Sequence, residues 1–186
     1  PDSLVVFDFF ANLKASYGVN YAMLSTAIFG GLIPYLYLLF SNKITHSKLG
    51  QCVFYLVVWA GIGALVNEFY AWQAVWFGNG ADWLTIAKKT ALDQFVFSML
   101  LTCPLLTLAY LWKDQGFSWR ATRPLLKTML TLQVPTTVLT NWLIWIPAVS
   151  LIYAMPANLQ IPLFNLVLCF FVLILAILNT EHTEHT

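Results

Sequence analysis

Residues 141–162 read NWLIWIPAVSLIYAMPANLQIP. An amide, two tryptophans and a proline sit inside a long apolar run, a proline-bounded turn comes next at Pro156, and a last apolar run covers 159–178. A helical hairpin buried in a membrane needs that order: a span, a turn with polar and proline residues, and a second span. The chain is accordingly read as an all-α, multipass transmembrane helical bundle of four to five spans.

The rest of the chain agrees with that class. Of its 186 residues, 60% are hydrophobic and only 9% charged, and the mean hydropathy is +0.74. A soluble domain carries about 25% charged residues, so lipid must take the place of water over much of this surface. A net charge of +1 gives no basic field for nucleic acid. Cys52, Cys103 and Cys169 each lie inside an apolar run, which suits buried thiols and neither a disulfide framework nor a metal site. The chain opens Pro1-Asp2-Ser3 without the pattern of a secretory or organellar leader, and the expectation is a processed or leaderless chain.

Hydropathy then divides the sequence. Residues 1–18 are too short and too polar to span and predict an interfacial N-terminal segment. The bundle covers 19–178, and 179–186, with its Glu-His-Thr repeat, predicts a flexible polar C-terminal tail, a reading preferred over metal binding by His182 and His185. The first span is Val19 to Phe40, which carries no charge; Pro34 should kink it, and Ala27 and Gly31 form a small pair permitting close helix approach. The second is Cys52 to Phe77, closed by Gly78-Asn79-Gly80, with Asp82 as the cap of the next helix. The third is Ala91 to Leu111. A charged loop is expected over 112–127, then a stretch 125–153 whose first half reads as re-entrant or tilted, then the last span. With five spans, Lys43, Lys48, Lys113, Arg120, Arg123 and Lys127 share a side against Lys14, Lys88 and Lys89, which places the C-terminus inside. Trp72, Trp76 and Trp83 read as interface anchors.

No phosphate-binding loop, nucleophile elbow or metal-spaced His/Cys cluster is present, and all three histidines lie outside the spans. The chain therefore reads as a non-enzyme with no cofactor, no catalytic residue and no metal ligand. What remains is polar groups among apolar ones: Asn67, Glu68, Asp93, Gln94, Asn141 and Asn165. If 52–77 is one centred helix, Glu68 lies about 5 Å from the bilayer midplane, where a carboxylate costs at least ~2.5 kcal/mol and should face a bundle interior or a wet cavity. The end of span two and the start of span three lie on one side of the membrane, so Glu68, Lys88, Lys89 and Asp93 are expected to meet there. Lys89 and Asp93 are also four apart on one helix. Such a group either lines a wet pathway or is an ion-pair cluster holding a hairpin.

From Glu68 onward the chain resembles the Mpv-seventeen/PMP-twenty-two family of peroxisomal and mitochondrial inner-membrane proteins. The matching pieces are Phe69-Tyr70, Lys88-Lys89 with Ala91-Leu92-Asp93-Gln94, Thr140-Asn141-Trp142 with Ile144-Trp145-Ile146-Pro147, Tyr153-x-x-Pro156, and Leu159-Gln160. The resemblance covers about residues 60–170. The family's early Gly-Asp-x-x-x-Gln motif is missing, Met99 stands where a proline is usual, and Phe170-Phe171-Val172 replaces the family's Trp-containing ending. This looks like a divergent member, and the lean loops would suit a bacterial relative.

The resemblance implies a helical bundle forming a poorly selective channel for ions or small solutes, in a bacterial inner, mitochondrial inner or peroxisomal membrane. Asp93, Gln94 and Asn141 match its motifs as polar candidates, and Trp142, Trp145 and Pro147 as structural ones. Glu68, Lys88 and Lys89 join the candidates on the residue argument above, with Asp93 and Glu68 setting a cation preference. Pro147 should bend span four and free carbonyls that Asn141 or water satisfies. The rival reading is a non-conducting structural or assembly subunit. Membrane lipid is the expected partner, with a homo-oligomer or a larger membrane complex as the setting.

Overall fold

The computed structural model describes the backbone of residues 2–44 and 46–184, and the side-chain surroundings of residues 8–44 and 46–172. The chain is all-α, with no strand among the described residues. Four stretches are long and apolar enough to cross a membrane: Asp8–Phe40, Lys48–Phe77, Trp83–Asp114 and Trp119–Tyr153. A shorter apolar stretch, Ala157–Val172, lies in the last helix. The protein is thus an integral membrane protein, as its composition requires.

The first stretch consists of α1 (Asp2–Thr26), a π-helical segment (Ala27–Leu32) and α2 (Ile33–Phe40). α1 breaks at Gly18, whose φ of 53° and ψ of −123° suit a residue without a Cβ. That break falls at the expected end of the N-terminal segment. The second stretch is α3 (Lys48–Phe77). Gly78, at φ 77°, lies just past its end, and its N–H bonds the Ala74 carbonyl at 2.9 Å.

Asp82 caps α4 (Trp83–Leu92), accepting from the Thr85 N–H at 3.0 Å. Hydrogen bonds from the Thr85 side chain and backbone hold its carboxyl below the usual carboxylate range. A second π-helical segment (Asp93–Thr102) and α5 (Cys103–Asp114) complete the third stretch. Trp72, Trp76 and Trp83 are all exposed, as anchors must be.

The charged loop expected over 112–127 contracts to 115–118. α5 runs to Asp114, and Ser118 caps a new helix, accepting from the Ala121 N–H at 3.4 Å. There is no re-entrant piece after it. A continuous helical path runs through α6 (Trp119–Thr122), a 3-10 turn (Arg123–Leu125), α7 (Leu126–Thr128), a third π-helical segment (Met129–Gln133) and α8 (Val134–Tyr153). α9 (Ala157–Glu184) closes the chain. Its backbone carries helix into the segment expected to be a polar tail, whose side chains and last two residues, with His182 and His185, lie outside the described ones.

The three π segments share a cause. Each ends one residue before the residue preceding a proline: Pro34, Pro104 and Pro135. The residue just before each proline donates its N–H five residues back, Ile33 to Ile28, Cys103 to Ser98 and Val134 to Met129. Proline supplies no N–H, and its ring crowds the carbonyl four residues earlier. Opening the turn to five residues moves that carbonyl away.

The chain packs as two compact units, 1–72 with 156–186 and 73–155. In the first, helices approach until glycine is required. A Cβ at Gly31 would lie 2.8 Å from the Tyr55 carbonyl oxygen. One at Gly63 would overlap the Ala22 carbonyl and sit 2.8 Å from Thr26 Cβ. Beside that approach, Asn165 joins α9 to α1: its Nδ2 donates to Ser25 Oγ and its Oδ1 accepts from Thr26 Oγ1, both at 2.8 Å. All three side chains are buried, so each polar atom must find its partner inside the protein. In the second unit α4, the segment after it and α5 pack on α8, around Trp145, Val149, Ile152 and Tyr153.

Candidate functional site

The second unit holds a polar cluster centred on Asp93, which is 5% exposed. Both carboxylate oxygens are engaged. Oδ2 accepts a hydrogen bond from the Tyr153 hydroxyl. Oδ1 accepts from Gln94 Nε2 at 2.9 Å and from Ser98 Oγ at 3.2 Å. Gln94, itself buried, passes the network on: its Oε1 accepts from Asn141 Nδ2 at 3.0 Å. Its backbone carbonyl accepts from Trp142 Nε1 at 2.9 Å, with Trp142 edge-on to Phe95 at 4.8 Å between ring centroids. Thr90 and Ser150 add a hydroxyl contact at 3.2 Å between α4 and α8.

Local geometry explains why these groups meet. Ser98 is five residues after Asp93. In an α-helix, five residues leave two side chains about 140° apart, too far round for that bond. The π turn brings them together. Asn141 and Trp142 then present adjacent donors from α8, one to the side chain and one to the backbone of the same glutamine.

Lys89 is one turn before Asp93 and only 2% exposed, yet the two form no ion pair. Among the described residues the ion pair within 4.0 Å is Lys113–Asp114, at 2.5 Å. The Lys89 ammonium stands over the Tyr153 ring, 5.8 Å from its centroid. A cation–π contact is worth about 0.5–2 kcal/mol, less than the several kcal/mol a buried ion loses in hydration. Gln73, fully buried, donates its Nε2 to the Lys89 carbonyl at 3.3 Å, and its Oε1 has no hydrogen-bond partner.

The structure therefore brings together Lys89, Asp93, Gln94, Asn141 and Trp142 of the sequence candidates. Trp145 is buried in the same unit. Lys88 is exposed, and so is Glu68. Glu68 belongs to the other unit, where it accepts from Asn67 Nδ2 at 3.0 Å. Lys14 there donates to Asn67 Oδ1 and to the Gly18 carbonyl. The expected four-membered group of Glu68, Lys88, Lys89 and Asp93 is thus replaced: Asp93 turns to neutral donors, and Lys89 to an aromatic face. Pro147 lies within α8, and Asn141 donates its Nδ2 to Gln94 Oε1.

Tyr153, Ser98 and Gln73 were not anticipated as site residues. Tyr153 carried a signal, since it stands in the Tyr-x-x-Pro piece. Ser98 and Gln73 carried none at α-helical spacing. Among the described residues no three His, Cys, Asp or Glu side chains gather as metal ligands. No protein-family model, curated protein or solved structure matches the chain.

Proposed function

We propose that this protein is a poorly selective membrane channel for ions or small solutes, a divergent relative of the Mpv-seventeen/PMP-twenty-two proteins, with the Asp93 cluster on its pathway. One observation carries the reading. Asp93 and Lys89 are ionisable, buried, and four residues apart within an apolar stretch of membrane-spanning length, yet they do not pair. Each such side chain costs about 2.5–3.5 kcal/mol at the centre of a membrane helix. A cluster serving only to join helices would regain most of that by direct pairing. Side chains held apart, with amides and hydroxyls around them, suit contact with a polar solute instead. A non-catalytic role, in an inner or organellar membrane, goes with this reading.

A second reading has its own support. Three donors already occupy the Asp93 carboxylate, as a structural knot would require, and the protein would then be an assembly subunit of a larger membrane complex. Single-channel recording in planar bilayers, wild type beside Asp93→Asn, separates the two. Discrete openings whose conductance changes in the variant are expected for the channel. A silent bilayer containing folded, inserted protein would leave the structural subunit.

A further inference from the structure

We infer that the exposed face of α8 is a pairing surface for a second copy of this chain, with Gln133 of one copy hydrogen-bonded to Gln133 of the other inside the membrane. Such a pair can form whether or not the protein conducts.

Residues 128–153 carry no charge and lie within a stretch of membrane-spanning length. As helix they cover about 39 Å, so Gln133 stands about 11 Å from their middle, inside the ~15 Å half-thickness of a hydrocarbon core. Yet this stretch turns polar groups outward. Gln133, Thr136, Thr137 and Thr140 are all exposed. Their spacing of three, four and seven residues puts them on one face, within roughly 100° of the helix surface. The third stretch presents an ordinary lipid-facing surface by contrast: Phe95, Val96, Met99 and Leu100 are exposed there.

Two of the four polar residues are satisfied by their own helix. Thr136 Oγ1 donates to the Leu132 carbonyl at 2.8 Å, and Thr140 Oγ1 to the Thr136 carbonyl at 3.0 Å. The other two are not: among the described residues, the Gln133 amide and the Thr137 hydroxyl have no hydrogen-bond partner. Hydrocarbon offers neither donor nor acceptor, so a lipid-facing amide is costly, and a helix face carrying one is driven toward another helix.

Three features select a copy of this chain as that helix. The stripe is uncharged, so it exerts no pull on a charged partner. An amide both donates and accepts. Two facing glutamines therefore bond twice, Nε2 to Oε1 in each direction, and the surface is complementary to itself, as a two-fold interface requires. Copies inserted the same way round also hold Gln133 at the same depth, which sets the register. Arg120, Arg123 and Lys127, likewise exposed, lie ~9 Å or more along the helix from Gln133, at the water-facing end where like charges are screened.

Sedimentation equilibrium of the full-length protein in density-matched detergent micelles tests the pairing. The wild type should show a monomer–dimer equilibrium. Gln133→Met keeps the length of the side chain and removes the amide; it should raise the dissociation constant at least about tenfold, the size of two hydrogen bonds between membrane helices. Thr137→Val should raise it less, and Leu100→Ile, on the lipid-facing surface, should leave it unchanged. Neither Gln133 nor Thr137 has a side-chain hydrogen bond within the single chain, so both variants should keep the wild-type thermal midpoint at dilutions where the dimer has dissociated. That separates lost pairing from lost folding. A wild type that stays monomeric at every concentration would overturn the inference and leave the stripe to a different protein or to lipid. A dimer equally tight in Gln133→Met would overturn it too, as would a wild-type assembly larger than a dimer.

Discussion

Two glycines one half-turn apart on α3 make the packing of the first unit testable. A Cβ at Gly63 would overlap the Ala22 backbone oxygen and lie 2.8 Å from Thr26 Cβ and 2.9 Å from the Ala22 carbonyl carbon. None of these atoms is the tip of a flexible side chain, so one helix must move. Overpacking of this kind costs about 1–3 kcal/mol. Alanine offsets about 0.5–1 kcal/mol of that through its better helix propensity. Gly63→Ala should therefore destabilise by about 1–2 kcal/mol. Gly61 is the control: a Cβ there meets nothing within 4 Å, so Gly61→Ala gains the propensity term alone. The two variants should differ by about 2 kcal/mol, roughly thirtyfold in the unfolding equilibrium constant. Reversible unfolding by SDS titration in mixed micelles, followed by tryptophan fluorescence, reads that difference. If Gly63→Ala is as stable as Gly61→Ala, the close approach of α1 and α3 is wrong.

The Asp93 cluster predicts a coupling. Tyr153→Phe leaves Asp93 Oδ2 without its buried donor and should cost about 1–3 kcal/mol. Combined with Asp93→Asn in a double-mutant cycle, it should show a coupling of about 0.6 kcal/mol, the average for hydrogen bonds within membranes, and at most about 1.7 kcal/mol; additivity would mean that the Tyr153–Asp93 bond contributes nothing. Asp82 predicts a pH dependence. Its bonds to Thr85 place its folded-state pKa below the unfolded one, so its stabilisation of the α4 end is present at neutral pH. That stabilisation is lost as pH falls through the lowered value. Asp82→Ala should flatten the acid limb of the stability profile in the same SDS assay, and an unchanged limb would remove the cap from the account.

Features that depend on local sequence are legible without the fold. Span length follows from hydropathy, which places 52–77 within a few residues of α3. The Asp82 cap and the Gly78 stop are short-range chemistry, and the residues alone announce both. The pairing of polar groups is not legible, because it depends on which helix face each occupies. Lys89 and Asp93 are four apart, the spacing of an ion pair, but Tyr153 arrives sixty residues later in the chain and stands against both. Glu68 is placed in the sequence by depth alone. Depth says nothing about azimuth, and azimuth leaves it exposed beside Asn67. The charged loop expected over 112–127 and the re-entrant or tilted first half expected of 125–153 rest on charges and prolines as loop signals, whereas a 3-10 turn and a π segment carry helix through Pro124 and Pro135.

The π segments are where sequence reading loses the site, and they explain why it exists. Proline alone does not require one: Pro147 and Pro162 sit inside α8 and α9 without it. Nor does Pro104 account for ten residues of π geometry between Asp93 and Thr102, since such distortions are mostly single turns. The side chains supply the remainder. At about 100° per residue, positions 93, 94 and 98 of an α-helix spread over roughly 140° of its surface. At the wider π turn, about 4.4 residues, they fall within roughly 80°. Only the second arrangement lets Gln94 and Ser98 donate to one oxygen of Asp93 while the other faces Tyr153. The proline opens the helix, and the carboxylate, with its donors gathered on one face, holds it open further. With Asp93 so occupied, Lys89 on the preceding turn loses its natural counter-charge. The distortion that builds the knot is thus also what leaves the lysine against the Tyr153 ring and not against a carboxylate.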